Sequence, residues 1–294
     1  MNVHTTQHPR DSVRPQTSSA RMRTLHGNAA GLDYTLYPSA TARSKASCSP
    51  TRAVKAARHI SGDGEADGAP CILFINMPTH HFDLKPIVGD LRSYVLSVNV
   101  PDWDDALTPW VAPGLYRGDP DFGGRALETL DALAKGLIPH VCEIIRMRCG
   151  RVPARWAIAG YSLGGLFSLY AFTQGSIHPP ATEPGAPAAF PFCAVASMSG
   201  SVWYEGWLGY LRDLAGSNAV DLDGTFAYLS IGSKERHAAQ RILHCVQDNT
   251  SQTAALLGEM GARTKFEVGP GNHFQFREER LRAGLGALDA WLNR

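Results

Sequence analysis

The chain contains no long apolar run: nowhere in its 294 residues is there a stretch approaching the roughly 18 to 20 consecutive apolar residues that cross a bilayer. It also has no excess of charge of one sign. Its 28 Lys and Arg against 27 Asp and Glu leave a formal charge of +1, so neither nucleic acid nor an acidic membrane surface is expected as a partner. Paired cysteines are missing too. Cys48, Cys71, Cys142, Cys149, Cys193 and Cys245 are scattered with no C-x-x-C pair, whereas a disulfide framework or zinc site needs tighter grouping. They read as buried thiols of a reducing compartment. The opening stretch MNVHTTQHPRDSVRPQTSSARMR has no apolar core of the kind a secretory signal carries, which points to the cytoplasm. Thr79-His80-His81 has no nearby cysteine or carboxylate to complete a metal site, and SGDGEADGA lacks the Lys-Ser/Thr ending of a phosphate-binding loop.

What the chain does have is an ordinary globular composition, 44% hydrophobic and 19% charged, patterned as alternating strands and helices. Residues 1–24 are polar and expected to form a disordered extension, leaving 25–294 as one folded domain. GLDYTLYPSA and RAVKAARHI read as early strands, and PCILFINM and SYVLSVNV as strands covered on both faces. The stretch 101–123 reads as a long loop. Leu127, Leu130, Leu133, Leu137, Val141 and Ile144 then recur at helical spacing, with Pro139 expected to kink or split the helix. Strands follow at 155–159, 192–198 and 225–231 and at TKFEV. Helices are expected at 164–174 and 237–260 and around Leu281, Leu285, Leu288 and Trp291, with a Pro-rich loop at 178–191. This order predicts an α/β fold: a mostly parallel central sheet with helices on both faces. Ligands bind such sheets beyond the carboxyl ends of the strands, so a catalytic residue should stand just after a strand.

One stretch meets that rule with particular chemistry. RWAIAGYSLGGLFSLYAF, residues 155–172, sets Ser162 in a G-x-S-x-G pattern between an apolar strand and an apolar helix. A nucleophile there must stand on a sharp, strained turn, and glycines two places either side let strand and helix approach. The helix start offers free N–H groups to an oxyanion, Leu163 N–H first. A serine hydroxyl needs a base to take its proton, and the base needs an orienting acid. His273, in the glycine-rich GPGNHFQF after the last strand, suits the base better than His178, in the Pro-rich loop, or His237 and His244, in the expected helix. Glu235, directly after the strand in FAYLSIGSKER, suits the acid. Asp221 and Asp223 precede that strand, and Asp248 lies within a helix.

With these residues in place, the chain resembles the esterase family of α/β hydrolases that includes esterase D and the enterochelin esterase-like enzymes. The resemblance covers residues 30–294 and rests on PCILFINMP, LIPHV, AGYSLGGLFSLYAF, SMSGSVWY and GNHF in that order. It implies the α/β-hydrolase fold, with Ser162 as nucleophile, His273 as base and Glu235 as acid, although some relatives work with a Ser-His pair alone. Where relatives carry Asp-Gly after the early strand, this chain has Asn76-Met77, and Met77 N–H is the implied second oxyanion donor. Trp203 is implied at the substrate pocket, and Tyr161, beside the nucleophile, is expected to contribute to it.

The expected activity is hydrolysis of a small-molecule carboxylic ester, siderophore-type lactone or thioester through an acyl-enzyme on Ser162, with no metal or organic cofactor. An acyltransferase would use the same intermediate, and a non-catalytic binding module would use the fold alone. Trp103, Trp110, Trp203, Tyr204 and Trp207 make the loops at 101–123 and 199–213 aromatic, as for a bulky acyl group or for packing. The oligomeric state stays open.

Overall fold

A computed structural model describes residues 22–44, 68–76, 81–177, 192–217, 219–238 and 240–294. The expected N-terminal extension up to residue 21, the run RAVKAARHI, Cys48, Met77, His178 and the Pro-rich loop lie outside them.

The strands are β1 (Leu25–Ala29), β2 (Leu32–Tyr37), β3 (Cys71–Asn76), β4 (Tyr94–Asn99), β5 (Val111–Ala112), β6 (Phe122–Gly123), β7 (Trp156–Tyr161), β8 (Ala194–Met198), β9 (Phe226–Gly232) and β10 (Arg263–Gly269). Among the described residues, eight of them form one sheet in the order β1-β2-β4-β3-β7-β8-β9-β10, and β5 pairs with β6 apart from it. β2 runs antiparallel to both β1 and β4, while every other neighbouring pair in the large sheet is parallel. From β3 the chain steps outward to β4 on one side and later returns to β7 on the other. The order reverses there, and such a switch point is where α/β sheets bind ligands, beyond the carboxyl ends of the strands.

The apolar runs form the central strands because both of their faces are covered. β3 buries all six of its residues, as the continuous pattern CILFIN requires. Leu73 and Ile75 join one core with Leu96, Ile158, Leu166, Phe167 and Leu169. Ile72 and Phe74, one residue out of step, join the other with Ala157, Ala159, Ala196 and the last helix, Arg277–Leu292. That helix buries Leu281, Leu285, Leu288 and Leu292, each contributing about 2 kcal/mol of apolar transfer. It lies close over the alanines of β7 and β8.

Three sequence expectations are revised. β1 was not foreseen, since LHGNA is short and contains Gly and Asn. Pro139 neither splits nor ends its helix: Ala126–Ala132 continues through one π turn, Leu133–Leu137, into Ile138–Cys149, with the proline in the first turn of the last segment. Widening the helix by one residue there accommodates a ring that lacks an N–H and crowds the preceding turn. The helix expected at 237–260 begins only at Val246. Before it come two short 3₁₀ turns, Glu235–His237 and Arg241–Cys245, so His237 and His244 are in turns and not in an α-helix.

The cysteines also depart from expectation: Cys71 is buried, but Cys142, Cys149, Cys193 and Cys245 are only partly covered, and all five are free thiols. No helix among the described residues is long and apolar enough to cross a membrane.

The turn after β7 depends on missing side chains. A Cβ on Gly160 would stand 2.1 Å from the backbone oxygen of Gly164, whereas one on Gly164 would meet Ile75 O at 3.1 Å. Gly160→Ala is therefore expected to cost about 3 kcal/mol, because strand and helix must separate, and Gly164→Ala distinctly less. Urea unfolding midpoints of the two variants check this ranking.

Candidate active site

The candidate residues follow four neighbouring parallel strands: Ser162 after β7, Ser199 after β8, Glu235 after β9 and His273 after β10. Ser162 has φ 57° and ψ −125°, a conformation that costs a non-glycine residue about 1 to 3 kcal/mol and persists only where the surroundings enforce it. Here they do. Its N–H donates to Met198 O at 3.2 Å, and its carbonyl accepts from Gly165, Leu166 and Ser201 N–H at 2.9, 3.1 and 3.0 Å. Leu163 opens the helix Leu163–Gln174, so its N–H is among the first-turn donors that have no partner within the helix.

Three side chains expected from the sequence come together. His273 Nε2 lies 3.2 Å from Ser162 Oγ, and His273 Nδ1 lies 2.8 Å from Glu235 Oε2. This is a nucleophile–base–acid geometry, with both ring nitrogens of one histidine engaged. Glu235 is only 5% exposed. Its Oε1 accepts from Ser199 Oγ at 2.6 Å and Gly232 N–H at 2.8 Å, and the Arg280 guanidinium stands 3.5 Å away. Burial by itself raises the pKa of this carboxyl. The hydrogen bond and charge of His273, followed by the bonds from Ser199 and Gly232, outweigh burial and hold it below the ordinary carboxylate range.

Asp221 and Asp223 precede β9 and Asp248 lies in the helix Val246–Glu259, so none of them follows a strand as Glu235 does. His244 Nε2 is paired with Ala238 O at 2.8 Å, and His237 Nε2 accepts from Arg236 at 3.3 Å.

The remaining expected residues lie around this group. Met77 is outside the described residues, but its neighbour Asn76 is buried and bonded to Phe82. Asn76 Nδ2 donates to Phe82 O at 3.0 Å, and Phe82 N–H donates to Asn76 Oδ1 at 2.9 Å. Tyr161 is buried beneath the histidine loop and does not face open space. Its hydroxyl donates to His273 O at 2.5 Å, its ring centroid is 5.2 Å from that of the histidine, and burial pushes its pKa up to about 12. Trp203 is half-buried, with ring centroids 6.1 Å from Phe122 and 6.3 Å from Tyr204. On the open side of His273, Phe274 is 71% exposed and edge-on to the imidazole.

Four residues of the site were not foreseen. Ser199 and Ser201 bracket the group, the second with its Oγ 3.4 Å from Ser162 Oγ. Asn76 precedes the implied donor Met77, and its own side chain carries no signal in the sequence. Arg280, on the last helix, is 5% exposed and bonded to Ser199 Oγ, Tyr161 Oη and the histidine loop. Its signal was a charged residue four places before Gly284, on a helix face that is otherwise apolar.

Among the described residues, no cluster of three or more His, Cys, Asp or Glu side chains is placed to hold a metal. His81 is exposed, and Thr79 and His80 lie outside the described residues.

No family model matches the chain. It is similar to the uncharacterized protein YbbA of Bacillus subtilis, 29% identical over 159 residues, a match spanning 53% of this chain and 55% of that protein. Solved structures agree over nearly the whole length. The siderophore hydrolase EstA of Aspergillus nidulans superimposes with a TM-score of 0.61 at 17% identity, covering 99% of this chain and 100% of that one. An IroE-like serine hydrolase of Shewanella oneidensis gives 0.63 at 14%, covering 88% and 76%. The enterobactin esterase FES of Shigella flexneri gives 0.55 at 16%, covering 88% and 55%. The fold is that of the α/β hydrolases.

The depressed Glu235 pKa has a consequence for stability. A carboxyl whose pKa is lower folded than unfolded stabilises the protein above the unfolded value, about 4.3, and loses that contribution as pH falls through the folded value. The wild-type unfolding free energy is therefore expected to fall more steeply on acidification below about pH 4.3 than that of Glu235→Gln, as chemical denaturation at several pH values would read.

Proposed function

We propose that the protein is a serine hydrolase that cleaves carboxylic esters through an acyl-enzyme on Ser162. The observation that carries this reading is the one histidine between Ser162 Oγ and a buried Glu235 carboxylate, at 3.2 and 2.8 Å. A binding module would not require a strained serine, a base at proton-transfer range and a desolvated acid at the ends of adjacent strands. Likeness to structures described as siderophore, enterobactin and serine hydrolases supports the same class.

In the proposed mechanism His273 Nε2 takes the Ser162 proton as Oγ attacks the ester carbonyl, and the pair of electrons released from the C=O settles on oxygen. Leu163 N–H receives this oxyanion, with Met77 N–H the second donor that the family resemblance implies. Glu235 holds the Nδ1–H tautomer and stabilises the imidazolium without taking its proton. Protonated His273 then gives its Nε2 proton to the departing alkoxide as the C–O bond breaks. Water, deprotonated by the same nitrogen, attacks the acyl-serine, and Ser162 leaves with the proton returned from the histidine.

The substrates proposed are carboxylic esters, with siderophore-type lactones and thioesters as the candidate classes. A panel of p-nitrophenyl esters, a cyclic triester lactone and a thioester separates these classes by kcat/KM.

Ser162→Ala is expected to abolish turnover and labelling by a fluorophosphonate probe, and Glu235→Gln to lower kcat by roughly 10² to 10⁴ with little change in KM. Equal labelling of wild type and Ser162→Ala, read by intact-protein mass spectrometry, would remove Ser162 from the mechanism.

A further inference from the structure

Arg280 is a buried cation that the proposed chemistry does not use. From its place in the first turn of the last helix its Nη2 donates to the carbonyls of Asn272 at 2.8 Å, Gln275 at 2.5 Å and Pro270 at 3.4 Å. Nη1 donates to Ser199 Oγ at 2.7 Å and to Tyr161 Oη, and lies 3.5 Å from Glu235 Oε1. Other groups complete the bracing of this loop. Tyr161 Oη, held by Arg280, donates to His273 O, and Lys234 N–H donates to Gly271 O at 2.9 Å. The carbonyls of residues 270, 271, 272, 273 and 275 are thus all tied down, three of them by one guanidinium. A planar five-donor fork can hold several acceptors of this kind at once; an ammonium holds its partners as a point charge.

Resting on the serine-hydrolase reading above, we infer that Arg280 is a positioning residue. Its guanidinium holds the histidine loop at the distance that reaches Ser162, and its charge offsets part of the Glu235 carboxylate. The two roles are separable. The first is geometric, and a displacement of about 1 Å at a reacting group costs on the order of 10² in rate. The second is electrostatic: an unopposed carboxylate favours the protonated imidazole, which cannot act as a base. The charged and titratable groups facing Arg280 and Glu235 are His273 from its loop, Tyr161 from β7 and Tyr228 from β9, while Arg277 of the same helix acts on Tyr161 and stacks over Phe82. The two tyrosines are pushed well above neutral pH by burial, so they stay uncharged over the range in which a histidine base works.

The test compares Arg280→Met and Arg280→Lys with wild type in pH profiles of kcat and kcat/KM on a p-nitrophenyl ester, with melting curves for each. Arg280→Lys keeps a charge and loses the fork. It is expected to leave the acid limb of kcat/KM in place while kcat falls about 10- to 100-fold at unchanged KM. Arg280→Met loses both, and its acid limb is expected to move upward by about one pH unit. Added guanidinium ion is expected to restore part of the lost kcat in Arg280→Met and none in wild type. If Arg280→Met does not fold, Arg280→Lys decides: a folded lysine variant with wild-type kcat overturns the inference, and so does a loss of kcat that only follows the fraction unfolded. Fluorophosphonate labelling of wild-type Ser162 is measured in the same series. An unlabelled wild type overturns the hydrolase reading and this inference with it, whereas a labelled wild type with unaltered Arg280 variants overturns this inference alone.

Discussion

The arrangement depends on one buried carboxylate. A charge as enclosed as that of Glu235 persists only if its lone pairs are matched by donors, since an unpaired buried ion costs several kcal/mol. Each donor it draws in comes from a different part of the chain: Ser199 after β8, Gly232 at the end of β9, His273 after β10 and, as a nearby cation, Arg280 on the last helix. Meeting the needs of that carboxylate brings the ends of three strands and one helix into register, and the histidine ring is fixed as part of the same settlement. Ser162 is reached from the other nitrogen of that ring, on a turn held separately by backbone bonds to Met198 and Ser201.

Two kinds of packing keep this network in place. On one face of the sheet the helix that follows Ser162 is buried almost throughout, so the strained serine rests on a rigid support. On the other, small residues in β7 and β8 let the last helix approach closely, carrying Arg280 to the underside of the site. The helix is fastened at its far end as well: Asp289 accepts from the backbone and hydroxyl of Ser93 at 2.7 Å each, and Leu292 O accepts from Arg155 at 2.8 Å.

Much of this was legible in the sequence for physical reasons. CILFIN, WAIAGY and FAYLSIG are apolar without alternation because they are covered on both faces, and that marks central parallel strands. Strand ends then located Ser162, Glu235 and His273, because ligands meet such sheets at the carboxyl edge. What stayed hidden was set by contacts far apart in sequence. An arginine in the polar company of FREERLRAG looks by composition like solvated surface, and packing places Arg280 inward beside Leu281 and Gly284. Tyr161 reads as a pocket residue until its hydroxyl is seen beneath the histidine loop. The segment 237–245 has helical spacing of apolar residues, yet its described residues fold as 3₁₀ turns, because the chain must first leave Glu235 at the strand end, and Ala238 and Gln240 each have extended backbone.

The double fastening of the last helix bears on biosynthesis. Asp289 and Ser93 are 196 residues apart, so this closure is strongly non-local and waits until nearly all the intervening polypeptide has left the ribosome. The part of the apolar face around Ile72, Phe74, Ala157 and Ala196 that Leu281, Leu285 and Leu288 cover is therefore closed last. Docking of that helix seals this face of the sheet and delivers the buried guanidinium in the same event.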